Sequence, residues 1–441
     1  MFANSKILIL FTLTLLLYII HINSQADYEI NGLYSLYNST NGINWRWEGS
    51  RIENTTIWNF TNPNPQPCLD AWEGVLCNNN CYTGDSCYIT ELNLEGRLLV
   101  GSIPSDISVL SALVVLYLRV NSITNTIPTS IQSMSELTHL SLDSNQLVDP
   151  IPYLGSTIMH FNVIDNNLLE MPMILNQSSQ LTHIFLSFNK FSGTLSNIFN
   201  ATPHLEELKL STCELTGSIP SYLGTLTVLK NLELTANKLT GSLPTTFQLS
   251  SVMEAMYLDS NLFNGTFPIE IFSMVALTDL GLSGNQYTGT LPTAIGILTN
   301  LELLFLQLNQ FSGLVPQSLI SCSKLYQISM SSNQLSGSFP SMLFDLGHDV
   351  IIFDIGYNQF TGSLPTLSNT TLDSLLFINI QSNMFSSTLP VSFVEYWPHM
   401  VEIEFSNNYL TGTLPSAIEK LFHLTQLSAH HNSFSGNMPT T

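Results

Sequence analysis

The chain has 441 residues, of which 44% are apolar and only 10% charged. Such a composition supplies a large core and excludes a coiled coil, a disordered tail or a charge-rich intracellular enzyme. Eleven Lys and Arg stand against 32 Asp and Glu, a formal net charge of -21, which repels phosphate backbones and excludes a nucleic-acid binder.

In chain order, the first predicted element is a targeting segment. Lys6, the apolar run Ile7–Ile20 and a polar stretch with Ser24 and Ala26 at peptidase spacing predict a signal peptide over 1–25, cut near Gln25 or Ala26. The run is shorter than the about 20 residues that span a bilayer, and no later apolar run reaches about 18 residues. Seven N-x-S/T sequons, at Asn38, Asn54, Asn59, Asn176, Asn200, Asn264 and Asn369, agree with secretion and are candidate glycosylation sites. The expected location is extracellular, as a secreted protein or as the ectodomain of a plasma-membrane protein.

Residues 26–88 form a second block. Ile30, Leu33, Leu36 and Tyr37 sit at helical spacing and predict a short amphipathic helix, to which Trp45, Trp47, Trp58 and Trp72 add bulk. Four cysteines, Cys68, Cys77, Cys81 and Cys87, allow three disulfide pairings, with a zinc site as the alternative.

From residue 89 onward a period of 24 dominates. Leu229–Pro244 (LKNLELTANKLTGSLP) aligns with Leu277–Pro292 (LTDLGLSGNQYTGTLP) at an offset of 48, two copies of the period. The pattern L-x-x-L-x-L-x-x-N-x-L-x-G-x-[IL]-P fits fifteen times, with Arg97 and Cys213 in place of Asn in two copies. L-x-L alternates as one short strand should, and parallel strands of successive repeats stack at about 4.8 Å. The Asn is expected to turn inward and bond backbone groups of its turn and of the next repeat, while Gly permits the bend. The copy around Asn166 is short and lacks the Gly, so a kink or a missing back strand is expected there. Cys213 and Cys322 are expected to remain buried free thiols.

These residues resemble the plant-type leucine-rich repeat, with its L-[TS]-G-x-[IL]-P tail. The resemblance implies an α/β solenoid: a curved, right-handed array with a concave parallel sheet, a second sheet on the convex side, and a helical, disulfide-bearing N-terminal cap. The stretch Pro67–Cys77 is similar to the C-x-x-W-x-G-V-x-C cap of that class, with one extra residue, and implies Cys68–Cys77 and Cys81–Cys87 pairs. The stretch Leu36–Trp45 looks like a cap variant found outside plants. The repeats run over 89–441 without a C-terminal cap; the chain is expected either to continue as a receptor or to associate end to end.

Catalytic signatures such as G-x-S-x-G, H-E-x-x-H, a P-loop and kinase motifs are absent from the sequence, so a non-catalytic role without cofactor or metal is expected. The candidate binding surface is formed by the outward positions of L-x-x-L-x-L. His139, His160 and His183 fall in three consecutive repeats and are expected in a row about 5 Å apart, a geometry suited to a metal or to proton sensing. Phe185, Tyr257 and Phe305 are candidate anchors, flanked by Glu207, Glu233 and Asp279. An aromatic, acidic trough suits a basic peptide, a protein loop or a glycan, with a co-receptor or an end-to-end dimer as further partners. Receptor-like recognition leads, and a secreted inhibitor of a foreign hydrolase or a matrix adhesion protein are the alternatives.

Overall fold

A computed structural model describes residues 27–47, 56–78, 81, 87–172, 175, 177–195, 197–342, 346, 350–366, 373–392 and 397–436. The signal-peptide segment and the sequons Asn54, Asn176 and Asn369 lie outside these residues. The backbone divides into two units, Met1–Ser192 with Asn197–Glu207, and Gly193–Ser196 with Leu208–Thr441.

The first unit opens with an α-helix over 27–39. Leu33 and Leu36 are buried, as their spacing requires, but the third member of the inward face is Glu29, while Ile30 and Tyr37 are half-buried. Behind the helix Trp45, Trp58 and Trp72 form an aromatic core. Trp45 packs edge-on against Trp58, and Trp58 stacks on Trp72. The indole Nε1 groups of Trp45 and Trp58 donate to the carbonyls of Thr40 and Glu73, so these large side chains bury no unmet donor. Cys68 is bonded to Cys77 and Cys81 to Cys87. All four sulfurs lie within 4.8 Å of one another, but disulfide formation removes the thiolates that zinc would need.

The strand Val75–Cys77 pairs antiparallel with Ile89–Asn93, and from there every pairing is parallel. Val115–Tyr117, His139–Ser141, His160–Asn162 and His183–Phe185 follow in register. In the second unit the same ladder runs from Asn231–Glu233 through Ala255–Tyr257, Asp279–Gly281, Leu303–Phe305, Gln327–Ser329, Ile352–Asp354, Phe377–Asn379 and Glu402–Glu404 to Gln426–Ser428. The central residue of each strand points inward: Leu232, Met256, Leu280 and Leu304 are fully buried. Each repeat can bury that side only against its neighbours, which is why stacking carries the stability.

The Asn ladder explains the register. In Asn285 the amide Nδ2 donates to the carbonyls of Leu282 and Ser283 in its own turn and of Leu258 in the repeat before, while Oδ1 accepts the N–H of Phe263. The expected direction is therefore corrected: the side chain reaches back to the preceding repeat, not forward. The bend is also placed differently. The residue before each ladder position has left-handed φ, as at Ala236, Ser260 and Leu308, and only at Gly96 and Gly284 is it glycine. The amide's bonds offset the about 1 kcal/mol such a backbone costs a residue with a Cβ. The glycine of L-x-G serves the second bend: at Gly313, φ is 76° and a Cβ would stand 2.9 Å from the Thr290 side chain.

Arg97 occupies the ladder position where only the cap precedes. Its Nη2 lies 2.9 Å from Oε1 of Glu73, and both side chains are buried, so a long ion pair replaces the amide clamp. In the short repeat, Asn166 keeps its clamp, donating to Val163 and Leu142. The back strand is missing there, as expected; in the first unit back strands pair at Val100–Gly101, Ser122–Asn125 and Gln146–Leu147. The Asp149 carboxylate accepts the N–H groups of Leu169 and Glu170 instead.

Beyond most of the repeat prolines the chain makes one 3-10 turn, for example Thr293–Ile297 after Pro292 and Ser416–Lys420 after Pro415. The helical layer expected of an α/β solenoid is thus reduced to single turns, because about five residues are left before the next loop begins. Cys213 and Cys322 are buried and outside any disulfide, as expected. Burial pushes the Cys322 thiol up to about 11.

Candidate functional site

The strands present their outer residues in straight columns, and these form two sets. In the first unit the sequential pairing places His139, His160 and His183 side by side. Their rings stack almost parallel, with centroids 4.3 and 4.0 Å apart, and Phe185 meets His183 edge-on. Thr138 Oγ1 lies 2.7 Å from Nδ1 of His139, and Thr182 Oγ1 lies 2.8 Å from Nδ1 of His183.

Tyr117, Arg119, Ser141, Asn162 and Phe185 complete a hollow of about 310 Å³ against this stack. Burial, then the neighbouring His183 and His139, pull His160 down to about 4, against the opposing pull of Glu207 and Glu206. Burial and His183 also lower His139. Parallel stacking spreads the outer two rings over two strand spacings, so the three imidazoles do not converge on one point. Among the described residues, only the cap cysteines form a group of such donors within 4.8 Å of one another. Glu207 sits at the end of this unit, half-buried, and its N–H donates to the Thr182 carbonyl.

Glu233, Tyr257, Asp279 and Phe305 belong to the second unit. All four are half-buried on the outer face of consecutive strands. Tyr257 faces Gly281 on the next strand, and the Asp259 carboxylate fills the space where a Cβ on Gly281 would lie. Asp259 accepts from the N–H and Oγ of Ser283. Burial raises Asp259 and Asp279, with Glu302 adding to the rise at Asp279. Burial and the surrounding Asp279, Glu233 and Asp259 push the Tyr257 phenol up to about 12. Negative charge is concentrated on a partly desolvated surface around one aromatic ring. Glu233 also holds Lys209 at 2.8 Å.

Sequence reasoning missed the continuation of this face. Tyr326, Ile351, Leu376 and Val401 follow one another across backbone hydrogen bonds, and Ile352 pairs with Phe377 beside them. Leu376 is exposed and the others half-buried. Ile352 and Phe377 occupy the same column as Asp279 and Gln327, so extending that column by two repeats finds them. The second unit thus carries an acidic, aromatic stretch and then an apolar column, Tyr326 to Val401, which runs beside polar outer residues such as Asp354 and Asn379.

Comparison with known proteins agrees with this architecture. A family model described as Leucine Rich Repeat matches residues 204–226 and 399–421. A kinase-like protein of Arabidopsis thaliana, TMKL1, is 35% identical over 202 residues, which are 44% of this chain and 29% of that protein. The plant peptide hormone receptor RGFR1, solved in complex with RGF2, superposes with a TM-score of 0.71 at 31% identity, over 77% of this chain and 55% of that one. A leucine-rich-repeat protein of Leptospira interrogans reaches 0.63 at 26% identity, over 78% of this chain and 90% of that one. The chain is a leucine-rich-repeat solenoid, similar to plant receptor ectodomains, and spans little more than half of RGFR1 and less than a third of TMKL1. Among the described residues no helix is long and apolar enough to cross a membrane.

Proposed function

We propose that this chain is a receptor-like ligand-binding region, extracellular, whose strand face in the second unit takes an extended peptide. The observation that carries the reading is the change along that face from an acidic, aromatic stretch, Glu233 to Phe305, to strands edged by an apolar column, Tyr326 to Val401. Seven strand spacings separate Glu233 from the strand of Glu402, about 34 Å, which is the length of about ten extended residues. A matching peptide carries Lys or Arg at one end, against Glu233, Asp259 and Asp279, and apolar side chains at the other. The similarity to RGFR1, a plant peptide hormone receptor solved in complex with RGF2, supports peptide as the ligand class.

The test is a positional-scanning library of synthetic decapeptides, with binding to the full secreted chain read by fluorescence polarisation. Enrichment of Lys or Arg at one end and Leu, Ile or Phe at the other is expected, with affinity falling as salt rises. Binding without positional preference, or no binding at any composition, sinks the reading.

A further inference from the structure

The cap carries a hollow that the strand face does not use. It encloses about 460 Å³ between the 27–39 helix and the segment 58–65. Tyr34, Tyr37, Trp58 and Phe60 form its aromatic wall, with Phe60 centred 5.0 Å from Tyr34 and 5.2 Å from Tyr37. Tyr34 is 48% exposed, an aromatic face left open to water. Two sequon asparagines line the same hollow, Asn38 on the helix wall and Asn59 on the opposite one.

Helix geometry relates Asn38 to the aromatic wall. Asn31, Tyr34 and Asn38 are spaced by three and four residues and share one helix face. A helical side chain leans toward the N-terminus and covers the turn before its own Cα. A group extended from Asn38 therefore lies over Tyr34, facing Phe60. Asn59 is committed differently: its Oδ1 accepts the N–H and the hydroxyl of Thr61 at 3.0 and 2.7 Å.

We propose that this hollow seats the first N-acetylglucosamine of a glycan carried on Asn38, with the apolar face of the sugar ring on Tyr34 and its edge against Phe60. The apolar C–H face of a pyranose suits an aromatic ring, and the N-acetyl group finds amide and hydroxyl partners in Asn31, Asn59 and Thr61 at the rim. The glycan would then be part of the cap's packing, shielding aromatic surface that a chain of few charges leaves bare. The modification needs passage through a secretory compartment, which the two cap disulfides need as well.

The experiment uses the full chain secreted from cells that attach N-glycans, and the same chain made with glycosylation blocked. Glycopeptide mass spectrometry is expected to find Asn38 occupied. Asn38→Gln should lower the Tm of the glycosylated chain by about 2 °C or more, and trimming the glycan to one N-acetylglucosamine should leave the Tm unchanged. In the Tyr34→Ala background, or without glycosylation, Asn38→Gln should have no effect. Because Tyr34→Ala could itself perturb the cap, a second reading follows the N-acetyl methyl protons of the Asn38 sugar by NMR. They should move upfield under the ring currents of Tyr34 and Phe60. An unmodified Asn38, an Asn38→Gln effect that persists without Tyr34, a methyl signal at its free-sugar position, or the same signature from Asn59 would each overturn the proposal.

Discussion

The outer faces of the two units share one backbone and differ in chemistry. The strands His139–Ser141 and Asp279–Gly281 have the same length, the same inward leucine and the same Asn clamp. One face presents stacked imidazoles, of which burial lowers His139 and His160; the other presents Asp259 and Asp279, both raised by burial, followed by an apolar column from Tyr326 to Val401. Solenoid architecture makes this possible, because the residues that set the fold point inward and those that set recognition point outward, at alternate positions. The two faces can be altered independently as long as the ladder is intact.

The largest effects should come from the part the faces share. Asn145→Ala in the first unit and Asn285→Ala in the second each remove a side chain that bonds four backbone groups. Leaving even two of these unmet costs about 3 kcal/mol. Urea unfolding of both variants should show losses of that size and of similar magnitude. A loss confined to one of them would break the equivalence of the two backbones.

Next in size is a pH effect in the cap. Glu29 is buried on the inner face of the first helix and accepts the Ile89 N–H at 3.3 Å. Burial raises its pKa from 4.5 to about 7, against the opposing hydrogen bond. The folded state therefore holds this proton more tightly than the unfolded one. The corresponding stabilisation is complete below pH 4.5 and is lost as the pH rises to 7, by up to about 3 kcal/mol. Glu29→Gln keeps an acceptor for Ile89 and should flatten the profile, leaving the variant more stable than wild type above pH 7. An unchanged slope would mean that Glu29 ionises without penalty.

The strand face of the second unit should respond in affinity rather than stability. Leu376→Asp places a charge in the apolar stretch, and Asp279→Asn removes one from the acidic stretch. Each should weaken a decapeptide selected from the library by about tenfold or more, roughly 1.4 kcal/mol, with Tm shifts of about 2 °C at most. His160→Gln, on the other face, should leave that affinity unchanged. Weakening by His160→Gln comparable to that by Leu376→Asp would place recognition outside the proposed surface.

Most of the fold was legible because its signal repeats. One ladder residue, one L-x-L strand and one Gly-x-[IL]-Pro tail recur at a fixed spacing, so a single correct register fixes every strand. What was missed depends on contacts or on one-off residues. Glu29 was overlooked because the apolar residues around it already satisfied a helical pattern. Glu73 was not recognised as the partner of Arg97, since they are remote in sequence and burial of an ion pair leaves no local signature. The left-handed residues before the ladder Asn are chemically varied, so no residue type marks the bend. Of the candidate surface, the alternation of L-x-L makes the outward positions legible, whereas Ile352 and Phe377 stand out only once the strands are paired in register. The aromatic anchors were read as one trough, whereas Phe185 sits with the histidines and Tyr257 and Phe305 with the carboxylates.

The smallest expected effect tests the histidine face. The three imidazoles stack, and protonating His160 places a charge on a partly buried ring beside its neighbours. The His160 pKa is lowered from 6.5 to about 4 on folding, so the unfolded chain binds this proton more readily between those values. Its contribution to stability is complete above pH 6.5 and is lost as the pH falls toward 4, opposite in sign to that of Glu29 over an overlapping range. The wild-type profile is thus a partial cancellation, and a flat curve alone says nothing. His160→Gln should reduce the acid-side loss, what remains of it belonging to His139, and make the decline with rising pH, to which Glu29 contributes most, steeper. The double variant with Glu29→Gln should reduce both slopes. Direct titration of the His160 ring by NMR separates the two: a midpoint near 6.5, the ordinary value for the ring, would show that the stack exerts no electrostatic hold, and the contrast between the faces would then lie in shape rather than charge.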